Sequence, residues 1–261
     1  MTIKRIDLAR KAALKTGKTL LDFYQKGNQT GYLKNDHTLV TEADKAADKM
    51  IQKMIQGEFP EDQILSEEGS TIYPNNKHTW IIDPLDGTVN FSRGLGCWGV
   101  SIAHFENGMP QTAALYFPVT GELFTAEQGG GALLNDQPLK VIENSENDLF
   151  PIFFHCSRMY KKYRVNLPYK TRSLGAAAYH ICLIANNKAV LAFESTVRIW
   201  DFAASWLVVK EAGGKIESFG EKQPFPALPE TDYHGIPFPI IAGTSNTVLA
   251  EARKNIIRRD D

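Results

Sequence analysis

The chain has 261 residues, and with 43% hydrophobic and 23% charged residues its composition is that of a globular protein rather than a disordered or fibrous one. Its 29 basic and 30 acidic side chains give a formal net charge of −1, so no overall basic field indicates nucleic acid or an anionic membrane as a partner. Three widely spaced cysteines, Cys97, Cys156 and Cys182, indicate neither a disulfide framework nor a zinc cluster and favour a reducing cytoplasm.

The first part of the chain is predicted to form two amphipathic helices followed by a sheet. Apolar residues at helical spacing predict helices over about 5–24 and 43–55, and no segment stays apolar over the ~20 residues of a membrane span. Short strands are expected at 63–66 and 79–83. The segments WGVSIAHFE, QTAALYFP and ELFTAEQ, separated by turns at Asn107-Gly108 and around Gly121, predict an antiparallel meander.

The second part of the chain is predicted to alternate strands and helices. The glycines at 129–131 lack the spacing of a dinucleotide-binding fingerprint and predict a turn, and the polar run ENSEND follows. Strands are expected at FPIFFH, AVLAFE, KIESF and PIIAG, with helices at about 176–186, at about 202–212 and from 246, and a loop over 220–239. We therefore expect an α+β half over 1–145 and an α/β half over 146–261, packed as one compact unit.

The segment TWIIDPLDGT places two carboxylates next to a turn. Asp83 is predicted to end a strand, Pro84 to stiffen the turn, and Gly87-Thr88 to open a short helix after Asp86. Two carboxylates and the intervening Leu85 carbonyl are the hard oxygen ligands that Mg²⁺ prefers, and N–H groups at a helix start bind phosphate. The alternative is that the two acids only cap the turn and the helix.

Further acids are predicted at the ends of other elements, where functional sites are commonly built. Glu67 follows an apolar strand, and Asp201 stands at the start of an apolar helix. A lone acid in such a place is usually a cap or a solvated edge. Asp44, beside Lys45 and Lys49, reads without further context as an exposed acid in a salt bridge.

Four motifs, in chain order, resemble the inositol monophosphatase family of magnesium-dependent, lithium-sensitive phosphatases. They are LVTEAD at 39–44, SEE at 66–68, DPLDGTVNF at 83–91, and WDFAA at 200–204 followed by EAGG at 211–214. The resemblance implies a layered α-β-α-β-α sandwich, of the type also seen in fructose-1,6-bisphosphatases, and a homodimer. It covers most of the chain.

The resemblance also implies roles for individual residues. Glu67, Asp83 and the Leu85 carbonyl would bind a first Mg²⁺, and Asp83, Asp86 and Asp201 a second. Glu67 would support a third, weaker ion, so two to three ions are expected, and Asp44 with Thr88 would orient the attacking water. Independently, clustered carboxylates repel a phosphate dianion unless cations intervene, which agrees with this assignment.

The substrate is predicted less directly. Glu194 stands seven residues before Asp201, where the family carries an acid that hydrogen-bonds a ring hydroxyl, and this favours a polyol phosphate such as inositol 1-phosphate. Gly175, Ala176 and Ala177 resemble the family's small-residue turn at the substrate pocket, although a hydroxyl residue often replaces Ala176. Gly87 and Thr88 complete the predicted substrate contacts.

Other substrates and another class of function stay open at the level of sequence. Three arginines either hold a second phosphate or are only solvated: Arg158, Arg172 and Arg198. Relatives with the same metal core hydrolyse fructose 1,6-bisphosphate, histidinol phosphate or 3'-phosphoadenosine 5'-phosphate. A regulatory protein that keeps the fold without catalysis is the alternative from a different class. The complete set of acids favours an enzyme.

Overall fold

The structure is a computed structural model that describes residues 4–27, 31–33, 39–143 and 150–259. The helices of this part of the chain are α1 (Arg5–Gln25), α2 (Glu42–Glu58), α3 (Thr88–Ser92), α4 (Met159–Lys162), α5 (Ala177–Ala185), α6 (Ile199–Glu211) and α7 (Asn246–Asn255). The strands that the same segments contain are β1 (Gly31–Leu33), β2 (Leu39–Thr41), β3 (Gln63–Ser66), β4 (His78–Asp86), β5 (Gly99–Glu106), β6 (Met109–Phe117), β7 (Glu122–Glu127), β8 (Gly131–Leu134), β9 (Gln137–Leu139), β10 (Ile152–His155), β11 (Tyr163–Val165), β12 (Lys170–Arg172), β13 (Leu191–Val197), β14 (Lys215–Ser218), β15 (Phe238–Gly243) and β16 (Ile256–Arg258).

Two large sheets organise the molecule. Strands β3 to β9 form a seven-stranded sheet in chain order, with β3 and β4 parallel and every later pair antiparallel. The five-stranded sheet has the order β12-β10-β13-β15-β14, parallel among its first three strands and antiparallel among its last three. The pairs β1-β2 and β11-β16 form two small ribbons.

The apolar residues of the sheets alternate between faces and so build separate cores. In β4, Trp80 and Ile82 pack toward α1 and α2, whereas Ile81 faces the opposite core with residues of α5 and α6. In β13, Ala192 joins this central core, and Leu191 and Phe193 pack on the outer side with residues of α4 and α7. The period of two along each strand thus gives both sheets two apolar faces.

The resulting order of layers is α1/α2, the seven-stranded sheet, α5/α6, the five-stranded sheet and α4/α7. This confirms the predicted α-β-α-β-α sandwich. Helix α6 contacts both the seven-stranded sheet and β14, so it holds the two sheets together from the inside. The predicted boundary between the halves, at 145/146, and most of the polar run ENSEND lie outside the described residues.

One prediction about the first sheet was wrong. Asp83 does not end its strand, because β4 continues to Asp86 through an irregularity in the pairing with β5. Pro84 lies within this irregularity, where its missing N–H costs no ladder hydrogen bond. The predicted turn at the glycines 129–131 is confirmed: it connects β7 to β8, which begins at Gly131.

Candidate active site

Three carboxylates from distant parts of the sequence meet beside the end of β4. One oxygen each from Glu67, Asp83 and Asp201 lies within 4.8 Å of the others. Glu67 directly follows β3, and its N–H donates to the Ile82 carbonyl of β4 at 3.2 Å. Asp201 lies in the first turn of α6, where its Oδ2 accepts from the Arg198 N–H at 2.7 Å. The parallel pairing of β3 with β4 brings Glu67 close to Asp83, and the first turn of α6 adds Asp201 to them.

The electrostatics of this cluster are unfavourable for a set of bare anions. Burial, together with the charges of Glu67, Asp86 and Asp201, raises the pKa of Asp83 well above its ordinary value. Burial and the charge of Asp86 raise the pKa of Asp201 to about 7. A divalent cation would remove the mutual repulsion, and carboxylate oxygens are the donors that a hard cation such as Mg²⁺ prefers. The residues present therefore fit a metal site.

Asp86 lies beside this cluster but outside the closely spaced group of three. Its Oδ1 accepts from the Ala177 N–H at 3.1 Å and its Oδ2 from the Ala178 N–H at 2.9 Å, so the side chain caps the start of α5. Burial raises its pKa to about 7, against the effect of the two N–H donors. Asp86 thus caps α5 rather than the short helix α3, whose capping the sequence offered as the alternative to metal binding, and it adds charge near the cluster.

Asp44 and Thr88, predicted to act as a pair, are in contact. Thr88 Oγ1 lies 3.1 Å from Asp44 Oδ1 and 3.1 Å from the Leu85 carbonyl oxygen. The other oxygen of Asp44 accepts from both the N–H and the hydroxyl of Thr41, which completes a capping box at the start of α2. Asp44 is only 2% exposed, so the reading as a surface acid in a salt bridge was wrong.

Burial of Asp44 has a chemical consequence. Desolvation raises its pKa, although the hydrogen bonds from Thr41 and Thr88 act in the opposite direction. A carboxylate with a raised pKa takes up a proton more readily than an exposed one. Asp44 can therefore accept a proton through the hydroxyl of Thr88.

The glycines and alanines predicted to contact substrate lie next to the acidic motif. Gly87 has φ of +88°, and a Cβ on it would lie 2.8 Å from the Cys97 carbonyl oxygen and 3.3 Å from the Cβ of Ala176. Gly175 has φ of +80°, and a Cβ on it would lie 3.0 Å from both side-chain amide atoms of Asn90, Nδ2 and Oδ1. The fold brings 87–88 and 175–177 together, and the Ala177 N–H is already engaged by Asp86.

Two residues of the site have no role in the sequence predictions. Asn90 donates from Nδ2 to the carbonyls of Cys97 and Leu174, each at 2.6 Å, and so ties the motif to the loop before α5. His180 places Nδ1 2.6 Å from Oε1 of Glu194, deep in the central layer. Asn90 belongs to the DPLDGTVNF motif, which was a signal for it. His180 lies on a different element from Glu194, and no sequence spacing indicates their contact.

The three arginines considered for a second phosphate differ in position. Arg158 and Arg172 are exposed, and the Arg172 guanidinium donates to the Thr171 carbonyl. Arg198 is half-buried beside Asp201, and the positive charge of Arg198 lowers the pKa of Asp201.

None of the described helices combines the length and apolar character that crossing a membrane requires.

The layered fold and the partly buried acidic cluster fit the class of metal-dependent phosphate ester hydrolases. A model of the Inositol monophosphatase family matches residues 3–257. The chain belongs to this family, and it is a phosphoric monoester hydrolase. The predicted family, fold and enzyme class are thereby confirmed.

The relatives of the chain differ in name. A Histidinol-phosphatase of Chlorobaculum parvum is 34% identical over 80% of this chain and 83% of its own length. The Nus factor SuhB of Pasteurella multocida is 34% identical over 82% and 85%. An Inositol-1-monophosphatase of Rhizobium meliloti is 32% identical over 95% and 94%. Among solved structures, the Thermotoga maritima IMPase matches with a TM-score of 0.79 and 28% identity over 97% and 96% of the two chains.

Proposed function

We propose that this protein is a Mg²⁺-dependent phosphatase of small polyol phosphates, with inositol 1-phosphate as the preferred substrate. The observation that carries the proposal is the cluster of Glu67, Asp83 and Asp201, with ligand oxygens within 4.8 Å, beside a Thr88–Asp44 pair. Hydrolysis of a phosphate ester requires a charge-neutralising group and a proton acceptor. This arrangement offers the residues for both.

The proposed metal ligands are those that the family resemblance implies, and the close grouping of Glu67, Asp83 and Asp201 supports them. Glu67, Asp83 and the Leu85 carbonyl would hold one ion, and Asp83, Asp86 and Asp201 a second, with Glu67 supporting a third. When bound, Mg²⁺ supplies a Lewis acid that neutralises phosphate charge, lowers the pKa of a bound water and stabilises the leaving oxygen. Both oxygens of Asp86 accept helix N–H groups, and each retains a lone-pair direction for a cation.

The residues of the chain handle the proton of the attacking water. The single hydroxyl proton of Thr88 can go to Asp44 or to the Leu85 carbonyl, but not to both at once. When Thr88 donates to Asp44, its oxygen can accept a proton from the water, and the relay ends on Asp44 Oδ1. The water oxygen then bonds to phosphorus while the ester P–O bond breaks onto the leaving oxygen, and the resulting alkoxide takes a proton from solvent water to become the alcohol. No residue becomes phosphorylated.

Glu194 supports a polyol as the substrate. Its carboxylate is buried at the centre of the molecule, and its charge contributes to the raised pKa values of Asp86 and Asp201, which places it near the cluster. A carboxylate accepts hydrogen bonds from hydroxyls and repels phosphate groups. The predicted contacts at Gly87, Thr88, Gly175, Ala176 and Ala177 belong to the same proposal.

A substrate panel tests the proposal. Phosphate release is measured with inositol 1-phosphate, fructose 1,6-bisphosphate, histidinol phosphate and 3'-phosphoadenosine 5'-phosphate, each with Mg²⁺ and with a chelator. We expect the highest kcat/KM for inositol 1-phosphate, loss of activity on chelation, and inhibition by lithium. Higher kcat/KM for histidinol phosphate or the bisphosphate would assign that alternative substrate. No release from any of them by folded, Mg²⁺-loaded protein would favour the regulatory alternative.

A homodimer and a cytoplasmic location complete the proposal. The family resemblance supports the first, and three free cysteines are consistent with the second. Sedimentation velocity at micromolar concentration should give a mass near twice 29.1 kDa. A single species of 29.1 kDa under those conditions would remove the dimer from the proposal.

A further inference from the structure

His180 lies between two groups that it contacts with different ring nitrogens. Nδ1 is 2.6 Å from Oε1 of Glu194, and Nε2 is 2.9 Å from the backbone nitrogen of Leu174. The ring is also stacked on Phe154, with centroids 5.3 Å apart and planes inclined by 21°. His180 and Glu194 are both 1% exposed. The imidazole is thus fixed in position and orientation by contacts on three sides.

The partners determine which nitrogen carries the proton. Leu174 contributes an N–H donor, so Nε2 must accept and cannot itself be protonated. Nδ1 therefore carries the proton and donates it to the carboxylate of Glu194. A doubly protonated ring would place two donors against each other at Leu174. The geometry fixes a neutral ring with the proton on Nδ1.

The loop that His180 holds is also held from the other side. The carbonyl of Leu174 accepts from Asn90 Nδ2 at 2.6 Å, while its N–H donates to His180. Three residues later this loop gives way to the first turn of α5, whose N–H groups bind Asp86. His180 therefore connects Glu194, the acid at the predicted substrate end of the site, with the segment whose helix Asp86 caps.

The hydrogen bond to His180 uses one carboxylate oxygen of Glu194 and leaves the other for a ligand. Oε1 is engaged, and Oε2 accepts no hydrogen bond from any residue in the described segments. The charge of Glu194 contributes to the raised pKa values of Asp86 and Asp201, so this carboxylate lies within electrostatic range of the acidic cluster. An oriented carboxylate acceptor there suits a neutral hydroxyl and disfavours an anionic group.

We propose that His180 is a positioning residue for substrate choice: it fixes Glu194 so that Oε2 accepts a hydroxyl of a neutral polyol monophosphate and discriminates against substrates with a second anionic group. This inference rests on the proposed function, because it assigns the polyol to the site defined above. His180 itself contacts neither the substrate nor the reacting atoms. Its effect is on recognition rather than on the chemical step.

Three substitutions separate the two contacts of His180. In H180N the amide nitrogen takes the place of Nδ1, so the donor to Glu194 is kept and the acceptor for Leu174 is lost. In H180Q the longer side chain reaches the place of Nε2, so the acceptor is kept and the donor is lost. H180L removes both. His104→Leu is the matched control, since His104 is a buried histidine of the seven-stranded sheet that contacts His78 and Trp80.

Steady-state kinetics of the Mg²⁺-saturated wild type and variants on two substrates give the decisive comparison. Inositol 1-phosphate has ring hydroxyls, whereas p-nitrophenyl phosphate offers none to Glu194. We expect H180L and H180Q to raise KM for inositol 1-phosphate about tenfold with a nearly unchanged kcat, a change typical of losing one hydrogen bond to a charged group. KM for p-nitrophenyl phosphate should stay unchanged. H180N should restore most of the affinity, and His104→Leu should affect neither substrate.

Several outcomes would overturn the inference. Equal losses on both substrates, or rescue by H180Q rather than by H180N, would assign His180 to the loop alone. NMR of ¹⁵N-histidine-labelled protein provides a readout without activity, and a proton on Nε2 would contradict the assigned tautomer. If wild-type protein hydrolyses p-nitrophenyl phosphate but not inositol 1-phosphate, the proposed substrate fails. That result is distinct from a failure of the variants.

Discussion

The role of Asp44 can be tested separately from that of the other acids by a single substitution. Three groups donate to its two oxygens: the Thr41 N–H, the Thr41 hydroxyl and the Thr88 hydroxyl. In Asp44→Asn, the amide oxygen would face the Thr41 donors and the amide nitrogen would face Thr88. Thr88 would then accept from the amide and donate to the Leu85 carbonyl. Its proton would have no basic oxygen to reach.

We therefore expect Asp44→Asn to lower kcat by ~10²–10⁴-fold, the usual contribution of a general base, with little change in KM. Steady-state kinetics and a calorimetric Mg²⁺ titration on the purified variant would measure both effects, and excess Mg²⁺ should not rescue kcat. Asp48→Asn is the control on the same helix, because Asp48 binds Ser66 and Gln52 rather than Thr88. A variant with wild-type kcat would remove Asp44 from the mechanism.

At the scale of elements, Asp86 joins the end of β4 to the start of α5. The Asp86→Asn change keeps the side-chain volume but gives the site only one acceptor oxygen, so one helix N–H would face an amide N–H₂. Without metal at pH 7.5 the lost cap costs about 1 kcal/mol, but the substitution also removes a carboxylate whose pKa burial raises to about 7, and relief of that larger penalty should raise Tm. Thermal unfolding in a chelating buffer would measure it.

The same variant should bind Mg²⁺ weakly and turn over slowly, because a charge of the predicted second metal site is lost. Calorimetric titration and kinetics would show this. A lower Tm with wild-type Mg²⁺ affinity and turnover would mean that Asp86 is only a helix cap. Wild-type values in all three measurements would contradict both the metal role and the expected rise in Tm.

Gly87 connects the end of β4 to the start of α3. Its φ of +88° disfavours any residue with a Cβ, and the added Cβ would also lie 2.8 Å from the Cys97 carbonyl oxygen. Gly213 has nearly the same φ, +89°, with no atom within 4 Å of an added Cβ, and is the matched control. We expect Gly213→Ala to cost about 1–2 kcal/mol with normal kcat. Gly87→Ala should cost more and also lower kcat, because Thr88 must move with it.

Unfolding by denaturant and kinetics on the two variants test this comparison. Equal effects of Gly87→Ala and Gly213→Ala on stability would show that the close approach to Cys97 has no energetic consequence.

The elements that the sequence predicted well have a regular spacing of apolar residues or a clear turn signal at their ends. The turn pair Asn107-Gly108 after β5 and the apolar spacing of α1 depend only on residues close in sequence, and the acids of the TWIIDPLDGT segment were found in the same way. The continuation of β4 through Pro84 depends on β5, which supplies the partner for an irregular pairing. The three-residue strands β11 and β16 are too short to show a pattern, and the His180–Glu194 contact joins two elements through the fold alone.

At the scale of the whole molecule, His104 should make stability depend on pH. Burial, and then the charge of Arg5, lower its pKa to about 3, while Asp62 and Glu106 act in the opposite direction and His78 in the same one. The unfolded chain takes up this proton near pH 6.5, but the folded chain does not until about pH 3. The stability contribution is therefore present above pH 6.5 and is lost as the pH falls from there.

We expect the unfolding free energy of the wild type to fall more steeply than that of His104→Leu below pH 6.5. The difference in slope should approach 1.4 kcal/mol per pH unit, the value for one proton. Urea unfolding of both proteins from pH 7.5 to 4.5 in metal-free buffer would measure it. If the unfolding free energies of the two proteins change in parallel with pH, the lowered pKa of His104 in the folded state is contradicted.

The acidic cluster depends on segments that lie far apart in the chain. Glu67 and Asp83 precede Asp201 by more than a hundred positions, and α6 brings Asp201 to them only after it has packed between the two sheets. A ribosome-bound chain that has not yet reached residue 201 cannot assemble the cluster. Contacts with such a large sequence separation also tend to form slowly. Cation affinity would therefore distinguish finished molecules from truncated or partly folded ones.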